Sequence, residues 1–148
     1  MTHDTYDDAY IAGILRDTKT IAVVGASPNP DRPSNYVSEF LMAKGYEVFP
    51  VNPGQAGGQI HGRTVYARLS DIPVAIDMVD VFRASNALDG IVDEAIALPS
   101  KPKVIWTQLG VRDDAAARKA EGAGISVVMN RCPKMEIPRL ARLIGQRG

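Results

Sequence analysis

The residues whose types and spacing suggest chemistry begin with Gly25-Ala26-Ser27. They follow Ile21-Ala22-Val23-Val24, an almost unbroken apolar run with three β-branched residues, and helical spacing sets in from Ser34. Such a run fits a strand buried on both faces. Strand, small-residue turn and helix form the entrance to a nucleotide-binding α/β unit, where backbone N–H groups and a helix N-terminus face a phosphate. The turn is not G-x-G-x-x-G, because positions 27 and 30 are Ser and Pro. The next strand ends Val51-Asn52-Pro53, with no acid to hold ribose hydroxyls. That disfavours NAD and leaves NADP or a 3′-phosphorylated adenosine.

Other chemistry is thinly supplied. Cys132 lies between Arg131 and Lys134, the cationic company a nucleophilic thiol needs, but no histidine is near in sequence. It reads as a structural residue. His61, in a Gly-rich loop, reads as an exposed loop residue, and Asp80 as a hydrogen-bond acceptor for a helix or loop rather than a general base. Two histidines and one cysteine, widely separated, give no metal-ligand spacing, and no Ser-His-Asp or Cys-His order is present.

The elements that must position these residues alternate. A short amphipathic helix is expected from about Asp7 to Asp17, then a strand from Thr20 to Gly25. A helix follows, with Ser34 as its N-cap and Gly45 as its stop. Tyr46 to Val51 reads as the second strand, residues 54–62 as a Gly-rich loop, and Tyr66 to Ile72 as a short helical turn. Ala75 to Phe82 is the third strand, and helical spacing runs from Ala87 to Leu98. Lys103 to Thr107 and Ile125 to Met129 are further strands, flanking a helix over Asp113 to Ala123. A last helix is expected over Ile137 to Ile144. Five strands alternating with helices predict a Rossmann-like α/β/α fold with a mostly parallel sheet, filling residues 1–148 as one domain. Ligands in such sheets bind beyond the C-terminal strand ends, where the strand order reverses.

Lys plus Arg and Asp plus Glu number 17 each, so no global field recruits nucleic acid or an anionic membrane. The charge is uneven, with Asp4, Asp7, Asp8 and Asp17 near the start and Arg131, Lys134, Arg139, Arg142 and Arg147 near the end. The basic C-terminal stretch is either a solvated face or leans toward an anionic ligand. No apolar run approaches the ~18 residues of a membrane span. A single cysteine permits no intrachain disulfide, and a cytoplasmic location is expected.

In order along the chain stand Val24-Gly25-Ala26-Ser27 with a Pro-rich loop, Val51-Asn52-Pro53, Val81-Phe82-Arg83, Trp106-x-Gln108-Leu109-Gly110, and Asn130-Arg131-Cys132-x-Lys134-x-Glu136. This ordered set resembles the stand-alone CoA-binding domain proteins, which are similar to the CoA-binding domain of the succinyl-CoA synthetase alpha subunit. The resemblance covers about residues 15–142. It implies a domain that binds CoA or acyl-CoA with the diphosphate at the first turn, contacted by Gly25, Ala26, Ser27 and Arg32. Asn52 and Pro53 would flank the adenosine, and Phe82 would wall the channel. Arg83 and Lys134 would reach phosphate, and Gln108 the pantetheine. Many relatives carry His after the acid that corresponds to Glu136; here Ile137 follows it, so no role for that histidine transfers. The implied function is binding without catalysis. Alternatives are a CoA-binding subunit of an acyl-CoA ligase with a separate partner chain, and an NADP-binding reductase. A homodimer or an unidentified protein partner stays open.

Overall fold

The structure, a computed structural model, describes residues 2–145; Arg147 lies outside them. Apolar runs form the strands: β1 (Thr20–Val24), β2 (Glu47–Val51), β5 (Met78–Val81), β6 (Val104–Thr107) and β7 (Ser126–Val128). All pair in parallel, in the order β2-β1-β5-β6-β7. The order reverses between β1 and β5, which places a ligand crevice beyond their C-terminal ends. Between β2 and β5 the Gly-rich segment folds back as a small antiparallel hairpin, β3 (Gln59–Ile60) with β4 (Arg63–Thr64), in place of the expected loop.

The sheet is covered on both faces. On one side lie α1 (Asp8–Asp17), α2 (Pro33–Ala43), α5 (Pro133–Arg139) and α6 (Ala141–Ile144). They bury Leu15, Val37, Leu41 and Ile137 against Ile21, Val23, Met78 and Trp106. On the other side α3 (Leu88–Ile96) and α4 (Asp114–Gly122) pack Leu88, Val92, Ala116 and Ala120 against Ala22, Val79, Ile105 and Val127. The alternation of faces along each strand decides which side chain joins which core.

Local chemistry corrects several expected boundaries. Helix α2 starts at Pro33 rather than after a Ser34 cap, with Arg32 extended at the N-cap position and Pro33 supplying its fixed φ. The expected last helix starts four residues early, because Pro133 again opens the first turn, and it breaks into α5 and α6 at Leu140. Asp113 caps α4 by accepting from Ala116 N–H at 3.1 Å. The charge asymmetry also resolves. Arg139 pairs with Glu136 and with Asp8 of the acidic N-terminal stretch, and Arg131 lies 4.0 Å from Glu136.

The sheet margins are occupied. On β2, Arg63 Nε donates to Val48 O, Tyr66 N–H to Pro50 O, and Asn52 N–H to Tyr66 O. On β7, Tyr10 OH donates to Val127 O, and Met129 N–H donates to Tyr6 OH.

Candidate functional site

A cavity of about 720 Å³ opens beyond the ends of β1, β2, β5 and β6, at the reversal of strand order. Its floor is the turn after β1. Gly25 has φ +89°, and a Cβ there would stand 2.6 Å from Phe82 O, so only glycine lets the chain pass beneath the end of β5. The N–H groups of Gly25 and Ala26 both donate to Val51 O, at 3.0 and 3.2 Å. They hold the turn to β2 and so are not free donors, a correction to the sequence expectation that all three turn amides face a phosphate. Ser27 N–H has no hydrogen-bond partner among the described residues.

Two buried or half-buried amides set the turn's carbonyls. Asn52 Nδ2 donates to Ala26 O at 2.8 Å, while its Oδ1 accepts from Gly54 N–H at 2.9 Å. Asn35, on the first turn of α2, donates through Nδ2 to Ser27 O at 2.9 Å. The loop then winds through two side-chain turns: Ser27 Oγ accepts from Asn29 N–H, and Asn29 Oδ1 from Asp31 N–H. These bonds bring Arg32, Pro33 and Ser34 to the cavity wall, so that α2 begins there.

The electrostatics are one-sided. Arg32 and Arg83 line the cavity, are exposed, and have no ion pair among the described residues. Arg63, Arg112 and Arg139, elsewhere, each have a carboxylate. With the positive end of α2, two unpaired guanidinium groups make a site for an anion. The one carboxylate among the described lining residues, Glu94, accepts from Leu69 N–H at 2.8 Å.

Apolar walls include Val24, Val51, Pro53, Phe82, Ile91 and Val111. Gln108, just after β6, lines the cavity with its Oε1 buried and without a hydrogen-bond partner among the described residues. A buried carbonyl oxygen in that position calls for a donor. The structure thus brings Gly25, Ala26, Ser27, Arg32, Asn52, Pro53, Phe82, Arg83 and Gln108 into one lining. Lys134 is not in it; its ammonium lies 5.1 Å from the centre of the Tyr36 ring.

The groups that could react stand elsewhere. Cys132 is buried at the start of α5, outside the lining. His3 bonds Tyr6 OH and Glu121, and His61 bonds Asn35. Trp106 is fully buried and its indole N–H donates to Arg131 O, as core packing predicts. Among the described residues no cluster of His, Cys, Asp or Glu could hold a metal ion.

Asp80 departs from expectation. It lies within β5 on the Met78 face, wholly buried, and neither carboxylate oxygen has a partner among the described residues. It serves neither a helix nor a loop. Burial pushes its carboxyl well above the usual carboxylate range.

Sequence reasoning missed Asn35, Ser34 and the ring contacts of His61. The signal for Asn35 was its place in the first turn of the helix that follows the phosphate-type turn, where a short amide can reach back to a carbonyl.

Comparison with known proteins agrees with this architecture. Residues 19–138 match the family described as CoA binding domain. The uncharacterized protein YneT of Bacillus subtilis (strain 168) is 38% identical over 127 residues, spanning 86% of this chain and 91% of that protein. A hypothetical protein from Pyrococcus horikoshii OT3 superposes with a TM-score of 0.85 at 38% identity, over 95% of this chain and 96% of that one. The dinucleotide-forming acetyl-coenzyme A synthetase 1 of Ca. Korarchaeum cryptofilum shares the fold. Its TM-score is 0.63 at 23% identity, over 76% of this chain but 26% of that one. No helix of the described residues is long and apolar enough to cross a membrane. A match over residues 19–138, with relatives 38% identical over most of the chain, places the chain in the CoA binding domain family.

Proposed function

We propose that this protein binds coenzyme A or an acyl-CoA in the switch-point cavity and catalyses no reaction of its own. The observation that carries the reading is the meeting of Arg32, Arg83 and the start of α2 in one cavity, with both guanidinium groups lacking a carboxylate. In this reading the diphosphate lies at the Gly25–Ser27 turn. It takes the Ser27 N–H and hydroxyl there, with Gly25 and Ala26 shaping the approach. Asn52, Pro53 and Phe82 enclose the adenosine and the channel. Gln108 Oε1, buried without a donor, fits an amide N–H such as the pantetheine arm carries. Lys134 is left out, since its ammonium is turned to Tyr36. The inertness rests on inventory: Cys132, His3 and His61 stand outside the lining, and Glu94 is engaged by a backbone amide. A cytoplasmic location suits a single free thiol.

Isothermal titration of the ligand-free protein with CoA, dephospho-CoA, NADP and NAD tests this. Micromolar or tighter CoA binding is expected, with loss on dephospho-CoA if an arginine reads the 3′-phosphate, and none with NAD. NADP binding without CoA binding would replace the reading with a reductase. CoA-dependent nucleotide turnover with a separate partner chain would replace it with a ligase subunit.

A further inference from the structure

His61 stands at the tip of the β3–β4 hairpin, 26 residues along the chain from Asn35, yet its ring closes on that residue. Nε2 lies 3.1 Å from Asn35 O and 3.0 Å from Asn35 Oδ1. The amide of Asn35 is oriented by its own donation to Ser27 O, so the atom facing His61 is the oxygen. Both partners are therefore acceptors, and Nε2 must carry the proton. Nδ1 then faces Glu39 Oε2 at 3.7 Å.

The backbone at this point is also unusual. His61 and Gly62 both have positive φ, +51° and +78°, the two-residue hairpin turn in which both central residues are left-handed. A histidine held there carries local strain that the surrounding contacts must outweigh. One contact is Ile60, buried in the core on the α2 side, and the other is the His61–Asn35 pair.

Resting on the CoA reading above, we propose that His61 is a positioning residue for the phosphate turn. It is not among the residues that line the cavity. By donating to Asn35 it fixes the buried amide, which in turn holds the Ser27 carbonyl and so the C-terminal side of the turn residue whose N–H has no partner among the described residues. The hairpin is thereby a strut for the binding turn rather than a surface loop.

The test compares His61→Phe, which keeps a ring but removes the donor, with His61→Gln, which keeps an N–H donor, each alone and with Asn35→Ala. Two quantities are read: the Kd for CoA, and the Ser27 amide resonance in a ¹H–¹⁵N spectrum of the ligand-free protein, with Tm as a folding control. The expected result is a shifted Ser27 resonance and CoA binding weaker by about 3- to 10-fold in His61→Phe, the loss of one hydrogen bond. His61→Gln should return to within about twofold of the parent, and His61→Phe should add little once Asn35 is Ala, as coupled residues do. A Ser27 resonance that stays put, or an unchanged Kd in His61→Phe, overturns the proposal. If the parent itself fails to bind CoA, the ligand reading falls, and the Ser27 resonance alone then decides whether the strut exists.

Discussion

Gly25 passes so close beneath the carbonyl of Phe82 that a single added carbon would stand 2.6 Å from that oxygen, with the Arg83 Cδ at 3.1 Å. The first turn and the end of β5 are therefore one packed unit. Gly25→Ala must push them apart and force a left-handed conformation on alanine. We expect a loss of about 1–3 kcal/mol for the strain alone. CoA binding should weaken further as the turn and Arg83 separate. Gly124→Ala is the comparison: its φ is +87° but nothing lies within 4 Å, and it sits between α4 and β7 outside the cavity, so it should cost stability and leave affinity close to the parent. Thermal melts and titration of both variants check this. Equal affinity in the two would show that the close approach does not shape the site.

Arg32 and Arg83 have no carboxylates to lose, so removing either should leave the melting temperature in place. Each Ala substitution is expected to weaken CoA binding by about 10- to 100-fold, the range of a charge-assisted hydrogen bond. The loss should shrink as salt is raised, because exposed charges are screened. Titration at two ionic strengths decides it, and a variant with parental affinity would remove that arginine from the phosphate site.

Asn52 joins two backbones, giving a hydrogen bond to Ala26 O and taking one from Gly54 N–H. Asn52→Ala leaves both groups without it. Urea unfolding should show a loss of about 1–3 kcal/mol, and CoA affinity should fall with it, because the same turn is loosened.

Asp80 makes stability depend on pH in a definite direction. Its carboxyl holds its proton more tightly in the folded chain than in the unfolded one, because burial without a partner disfavours the charge. The unfolded chain therefore releases the proton first. The contribution of Asp80 to stability is full below the ordinary carboxylate range and is lost as pH rises from there through the raised value. The slope is at most about 1.4 kcal/mol per pH unit for one group. Asp80→Asn should remove that component. Urea unfolding of both proteins between pH 4.5 and pH 8.5 (roughly one unit per step) would show a flatter profile for the variant, and identical profiles would refute the assignment.

Much of this could be read from residue order, for identifiable reasons. The strands announced themselves as apolar runs because a parallel sheet is buried on both faces. The turn after β1, Arg32, Asn52, Phe82, Arg83 and Gln108 were each placed at a strand end, and strand ends share one rim, so they meet at one cavity. What stayed hidden depended on contacts distant in sequence. That Val51 O would engage the Gly25 and Ala26 amides follows from how β2 docks beside β1, which no local pattern encodes. His61 and Asn35 are joined across a hairpin whose strands are two residues each, too short to show alternation. Asp77 and Asp80 both fall within the stretch expected as the third strand, Ala75 to Phe82. Asp77 sits at its entrance, accepting from Lys19 N–H and Thr20 N–H, whereas Asp80 falls inside the core.

The occupied margins of the sheet bear on how copies of this chain can meet. A lone strand edge invites a neighbouring molecule to extend the sheet, the route by which β proteins join and aggregate. Here Pro50 removes one outward amide of β2, and the carbonyls of Val48 and Pro50 already have donors. Across the molecule, Tyr10 OH donates to Val127 O and Tyr6 OH accepts from Met129 N–H. Neither margin offers the run of vacant groups that strand addition requires. Extending the five-stranded sheet at either margin would first have to break these bonds.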